Sequence, residues 1–172
     1  MLEVKDSIVA KKRTQFGKGA ARKLRFAGWA PAIAYGPGHE PMNLVLQPDP
    51  FVLQRQRFGL NHIYDLAFEE GDNLKVLIKT IQQHPVSLKV LHVYFYAVDM
   101  AKPIRVSVPV DLTGKPQGVV EGGLLSQVLH AIMVQCLPDK IPGKLTVDVT
   151  ALKVGSSLHG SELQLPVGVQ LV

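Results

Sequence analysis

The stretch Gly17–Arg25, GKGAARKLR, puts two glycines and four cationic side chains, Lys18, Arg22, Lys23 and Arg25, into nine residues. Such residues hold phosphate. Glycine lets backbone N–H groups come close, and Lys and Arg add charge and donors. Two chemistries use such a stretch: a nucleotide cradle in an enzyme, or a clamp on the backbone of a nucleic acid. A G-x-x-x-x-G-K-[ST] loop needs a lysine and a magnesium-binding hydroxyl after its last glycine. Here Gly19 is followed by Ala20 and Ala21. A G-x-G-x-x-G fingerprint needs its third glycine for close helix–strand packing, and Arg22 stands in that place. Both nucleotide readings fail on these residues.

The nucleic-acid reading fits them better. A helix beginning near Gly19 sets Arg22 and Arg25 three residues apart, on one face. Lys18 then lies at the helix start, where backbone N–H groups also face outward. Arg13 ends the preceding strand, and Tyr35, His92 and Tyr94 are candidates for stacking or for contacts to a ribose 2′-OH. Charge supports this placement. Residues 1–35 hold eight Lys/Arg and two acids, whereas the rest of the chain holds 11 bases and 12 acids. That asymmetry points to an anionic partner for the first fifth of the chain, with a merely solvated basic face as the alternative that charge alone leaves open.

Other chemistry finds little support. The six histidines, at 39, 62, 84, 92, 130 and 159, show no metal-ligand spacing with a cysteine or carboxylate. Ser156, Ser157 and His159 lie close together but outside any nucleophile-elbow pattern, and read as polar loop residues. Cys136, the only cysteine, sits in an apolar run and reads as core, which excludes an intrachain disulfide and fits a reducing, cytosol-like compartment. No apolar run reaches the roughly 18 residues of a membrane-spanning helix, and MLEVKDSIVAKKR lacks the apolar core of a secretory signal. The expectation is a cytoplasmic protein with no catalytic role, cofactor, metal, small-molecule substrate or membrane partner.

The elements that must position these residues are mostly strands. The chain has 15 Gly and 12 Pro, and the segments between them are short and rich in Val, Ile, Leu, Phe and Tyr. VKDSIVAKKR reads as a first strand, and GKGAARKLRFAG as a loop and short helix ending near Gly28. APAIAYG and MNLVLQ read as strands, with Pro31 near the start of the first, where a missing donor is tolerable. Asp49-Pro50 offers an N-cap and first-turn proline for a helix that ends at Gly59. HIYDLAFEEGDNLKVLIKTIQ reads as two strands joined by the acidic turn Glu69–Asn73. LHVYFYAV, residues 91–98, alternates cleanly: Leu91, Val93, Phe95 and Ala97 face a core, and His92, Tyr94 and Tyr96 form a displayed face. VDMAKP is a linker. RVSVPVDLTG, GVVEGGLLSQVLHAIMVQCLP with a turn at Gly122-Gly123, KLTVDVTAL and LQLPVGVQLV then make a second β-rich domain without a basic cluster.

RTQFGKGAARKLRFAGWAPAIAYG closely resembles a signature of the bacterial large-subunit ribosomal family called L-twenty-five, which binds 5S ribosomal RNA and includes longer relatives, the general stress protein Ctc. IQQHPVSLKVLHVYFYAV resembles its second signature, and VPVDLTGKPQGVVEGG, CLPDKIPGKLTVDVTAL and VGSSLHGSELQLPVGV resemble the C-terminal half of the longer form. The resemblance covers nearly the whole chain. It implies a mainly β fold, with an N-terminal β-barrel carrying short helices (residues 1–98) followed by a β-rich C-terminal domain (residues 99–172). It implies a structural constituent of the large ribosomal subunit, with 5S rRNA as partner, or a stress protein joining ribosomes under stress. The family's RNA-contacting positions fall on Arg13, Lys18, Arg22, Arg25, Tyr35, Gln82 and His92. The eighth, Tyr94, departs from the family, which has an acid there, so RNA binding is expected to be kept but weakened or less selective. The longer relatives also run on past the position of Val172, through another strand, so the expectation is either that the C-terminal domain lacks a closing strand or that the sequence is a fragment of a longer chain.

Overall fold

The computed structural model describes residues 6–68, 73–163 and 165–172. The backbone contacts divide the chain into two units, Met1–Asp99 and Met100–Val172.

In the first unit, period-two alternation of apolar and polar residues builds a closed six-stranded barrel. Its strands are β1 (Ser7–Lys12), β2 (Ala30–Gly36), β3 (His39–Leu46), β4 (Ile63–Phe68), β5 (Asn73–Gln83) and β6 (Val90–Ala97), in the order β1-β3-β2-β6-β5-β4. Four of the pairings are antiparallel; β1 with β4 and β2 with β6 run parallel. Closure leaves no strand edge open to pairing with another chain. Ala30, Ala32 and Ala34 of β2 point inward and are fully buried, their small size leaving room for Phe95, Leu44, Leu66 and Val93. Helix α1 (Lys18–Phe26) lies between β1 and β2 and packs on β2. It has no buried residue of its own. Helix α2 (Pro48–Phe58) buries Phe51 edge-on against Phe95, ring centroids 6.2 Å apart. The α2 chain reverses at Gly59, whose φ of 88° favours glycine. The Gly59 carbonyl accepts the Tyr64 hydroxyl at 2.5 Å, and burial, with Asp6 nearby, pushes that phenol up to about 12. At the end of β2, a Cβ on Gly36 would lie 2.5 Å from the Ala97 carbonyl oxygen, so only glycine lets β2 and β6 close there.

The second unit is a four-stranded sheet in the order β10-β8-β7-β9, made of β7 (Ile104–Thr113), β8 (Ala131–Cys136), β9 (Leu145–Asp148) and β10 (Val169–Leu171). Its core uses the alternate residues Ile104, Val106 and Val108 with Val134, Cys136, Leu145 and Val147. Cys136 is buried as expected, and burial pushes its thiol pKa up. Among the described residues no helix is long and apolar enough to cross a membrane.

Three expectations shift. The α2 N-cap is Gln47, with Pro48 opening the helix and Asp49 inside its first turn, because two prolines compete for the start. GVVEGGLLSQVLHAIMVQCLP is not strand throughout: Gln117–Val120 forms a short helix, α3, and the strand begins only at Ala131. Leu91 does not join Val93, Phe95 and Ala97 in the core, for a reason that bears on the site. Of the acidic turn, residues 69–72 lie outside the described residues, as do Val4 and Lys5 of the first strand and Gln164.

Candidate nucleic-acid interface

Strand alternation and cross-strand register assemble the site. On β6 the side chains of His92, Tyr94 and Tyr96 alternate with the buried Val93, Phe95 and Ala97, so they share the outer face of the barrel. Register sets Tyr35 of β2 beside Tyr96 and Ile33 beside Tyr94, while β5 sets Thr80 beside Tyr94 and Gln82 beside His92. Tyr35, Gln82, His92 and Tyr94 thus occupy one wall, β2-β6-β5. Tyr35 and Tyr96 meet edge-on with centroids 5.8 Å apart. His92 and Tyr94 lie 4.5 Å apart, tilted by 43°. A Gln82 side-chain N–H donates to the Tyr94 hydroxyl oxygen at 3.4 Å.

A bulge ties α1 to this wall. Gln82 pairs with His92 but Gln83 pairs with Val90, so Leu91 is an extra residue on β6. A bulged residue leaves the ladder unpaired. This puts Leu91 off the core face and frees its carbonyl, which accepts Arg25 Nε at 3.0 Å. At 3.6 residues per turn, Lys18, Arg22 and Arg25 fall within about 60° of one another around α1. A cationic stripe therefore starts at the wall with Arg25 and runs along the helix through Arg22 to Lys18, all three exposed. Arg13 follows β1, anchored by its N–H to the Asn43 carbonyl (2.9 Å), and its guanidinium lies 6.0 Å from the exposed Phe16 ring.

These groups set the state of His92. Burial, then the Arg13 and Arg25 guanidiniums, hold its imidazole below the ordinary histidine value, favouring the neutral ring. Its Nδ1 is buried with no hydrogen-bond partner. All eight sequence-named residues lie on the wall, on α1 or at the end of β1. Reading the sequence alone omitted Tyr96, Thr80 and Phe16. Alternation did put Tyr96 on the displayed face, but only the pairing of β2 with β6 shows that it meets Tyr35. In the second unit Ser156 is occupied with the backbone of Lys153, and Ser157 Oγ lies 3.5 Å from His159 Nε2. No group of three or more His, Cys, Asp or Glu among the described residues could hold a metal.

Residues 8–95 match the family model described as the ribosomal L25p family, and residues 103–172 match that of ribosomal protein TL5, C-terminal domain. Among curated proteins, a large ribosomal subunit protein bL25 from Anaeromyxobacter dehalogenans (strain 2CP-C) is 44% identical over 164 residues, covering 94% of this chain and 67% of the relative. Proteins of the same name from Desulfosudis oleivorans and Syntrophobacter fumaroxidans are 37% and 39% identical, covering 99% and 95% of this chain and 79% and 84% of the relatives.

Proposed function

The chain belongs to the ribosomal L25p family, and we propose that it is a non-catalytic structural constituent of the large ribosomal subunit, in the cytoplasm, that binds 5S ribosomal RNA through its barrel unit. The observation that carries the reading is the convergence of a cationic stripe and an aromatic wall at the Arg25–Leu91 bulge. Arg13, Lys18, Arg22 and Arg25 serve the phosphates, where a planar guanidinium grips two oxygens at once. Tyr35, His92, Tyr94 and Gln82 face bases and riboses, the parts of an RNA that stacking and short polar contacts recognise. The closed barrel holds Tyr35, Gln82, His92 and Tyr94 on its strands, so little order has to be gained on binding at the wall.

A titration of the purified chain against 5S RNA, and against an unrelated structured RNA of equal length, tests this. Selective binding of 5S RNA is expected, with a log–log salt slope of about −3 for four phosphate contacts. Equal affinity for the two RNAs, or none for either, overturns it.

A further inference from the structure

Helix α1 carries the cationic stripe, yet packing alone holds it weakly. None of its residues is buried; Ala20, Ala21 and Leu24 are half-buried and the rest are exposed. Near its C-terminal end a polar contact takes over. The Arg25 Nε–H donates to the Leu91 carbonyl at 3.0 Å, across 66 positions of sequence. Nε carries a single N–H and a carbonyl oxygen only accepts, so chemistry fixes the polarity of this bond. Leu91 is the extra residue of the β6 bulge, outside the ladder. Its carbonyl and the His92 N–H belong to one planar peptide unit. The bond that holds α1 therefore also steadies the backbone from which the His92 side chain projects. The electrostatics agree with this closeness: after burial and Arg13, the Arg25 charge is the third influence holding His92 below the ordinary histidine value.

We propose that Arg25 is a positioning residue: through its Nε it clamps α1 to the Leu91 bulge and sets the cationic stripe at one fixed place relative to the wall. This rests on the RNA-binding reading above and gives one of its residues a second task, since the Nη donors stay available to phosphate. An RNA held by phosphate contacts alone needs only the charges of the stripe, and such contacts carry no sequence information. An RNA that engages stripe and wall together needs the two held in register, because a loose helix would have to be ordered on binding. The clamp therefore serves selectivity more than affinity for RNA in general. Lysine cannot take its place. It keeps the charge, but its donors all sit on one terminal nitrogen, so it cannot hold Leu91 along its stem and reach a phosphate at its tip.

The test compares Arg25→Lys with Arg22→Lys, which makes the same exchange on the same stripe at nearly equal helix propensity. Thermal melts confirm that both variants are folded. Amide hydrogen exchange of the free chains comes first. The hydrogen-bonded amides of α1 should exchange about 3- to 10-fold faster in Arg25→Lys, the worth of one hydrogen bond, and at the wild-type rate in Arg22→Lys. A residue that only touches RNA would not move this readout. Titrations with 5S RNA and with an unrelated structured RNA follow. Arg25→Lys should lose about 3- to 10-fold of its preference for 5S RNA, while its affinity for the unrelated RNA and its salt slope stay at wild-type values. Unchanged α1 exchange in Arg25→Lys, equal acceleration in Arg22→Lys, or a preference for 5S RNA that does not fall overturns the positioning role and leaves the proposed function standing. If the wild-type chain does not discriminate between the RNAs, both fall.

Discussion

The two units are both built of β-strands, yet they put different chemistry on their surfaces. The barrel closes on itself around one apolar core and shows cations and rings along α1 and the β2-β6-β5 wall. The second unit is a four-stranded sheet with a partly open cavity of about 570 Å³ lined by such residues as Leu112, Ile132, Val147 and Val149. Residues 100–172 carry six Lys/Arg and five acids, spread along the chain. A polyanion is held by clustered cations on a rigid frame; of the two units, the first has that arrangement. Strand content alone does not separate them. What separates them is the cluster of cations that the first unit carries on α1 and just after β1.

The largest expected effect tests whether the units are energetically separate. Phe95 is fully buried against Phe51, and Phe95→Ala should cost the barrel about 3–5 kcal/mol, a large part of a typical domain stability of about 5–15 kcal/mol. Urea unfolding should show one transition moved to lower denaturant and one unmoved, with RNA binding lost alongside the first. A single concerted shift would break the comparison.

Much of the first unit was legible because its signals are local. Alternation located β6, the cationic run located α1, and Gly59 stopped α2. What escaped was non-local. The bulge at Leu91 depends on how β5 pairs with β6, and the Tyr35–Tyr96 contact joins residues sixty-one positions apart. Sequence order states neither. In the second unit, Gly118-Val119-Val120 is a short apolar run, and such runs read equally as strand or as a turn of helix; the structure makes it helical. The departure at Tyr94 was visible in the sequence. Its contact with Gln82 became visible only through register.

Next in size are paired charge removals, one per unit. Arg22→Ala removes an exposed cation from the α1 stripe. It should weaken RNA binding several-fold at moderate salt and reduce the magnitude of the log–log salt slope by roughly 0.7–0.9. Lys144→Ala removes an exposed cation that pairs with Asp111 at 3.0 Å in the second unit. Both affinity and slope should then stay at wild-type values. Equal losses from the two variants would erase the distinction between the surfaces.

A smaller effect reads out the wall itself. The His92 imidazole should titrate below the usual value of about 6.5 when followed by NMR, because burial and then Arg13 and Arg25 disfavour its charged form. Arg13→Gln removes one of those cations and should raise it. Between the folded and unfolded pKa values the unfolded chain binds more protons, so this group makes the barrel more stable as pH rises through that window and costs most below the folded value. An unchanged titration in Arg13→Gln would show that the Arg13 charge does not reach His92.

The smallest expected effect uses the matching group of the second unit. Asp148 is also lowered, but by hydrogen bonds to its charged form: the Thr150 hydroxyl first, then the Thr150 N–H at 2.9 Å. Here the sign runs through a carboxylate. Its contribution is present above the unfolded value of about 3.9 and is lost as pH falls through the lower, folded value. Asp148→Ala should therefore lower the melting temperature of the second unit slightly at neutral pH, and the difference from wild type should close in acid. The group is solvent-exposed, so screening keeps the effect small. The two titrations have opposite meanings despite their common direction. His92 is lowered because burial, and then the nearby Arg13 and Arg25 guanidiniums, disfavour its charge; Asp148 is lowered because hydrogen bonds from Thr150 hold its charge. A wild-type difference that persists in acid would show that the turn is held by packing instead of by the carboxylate.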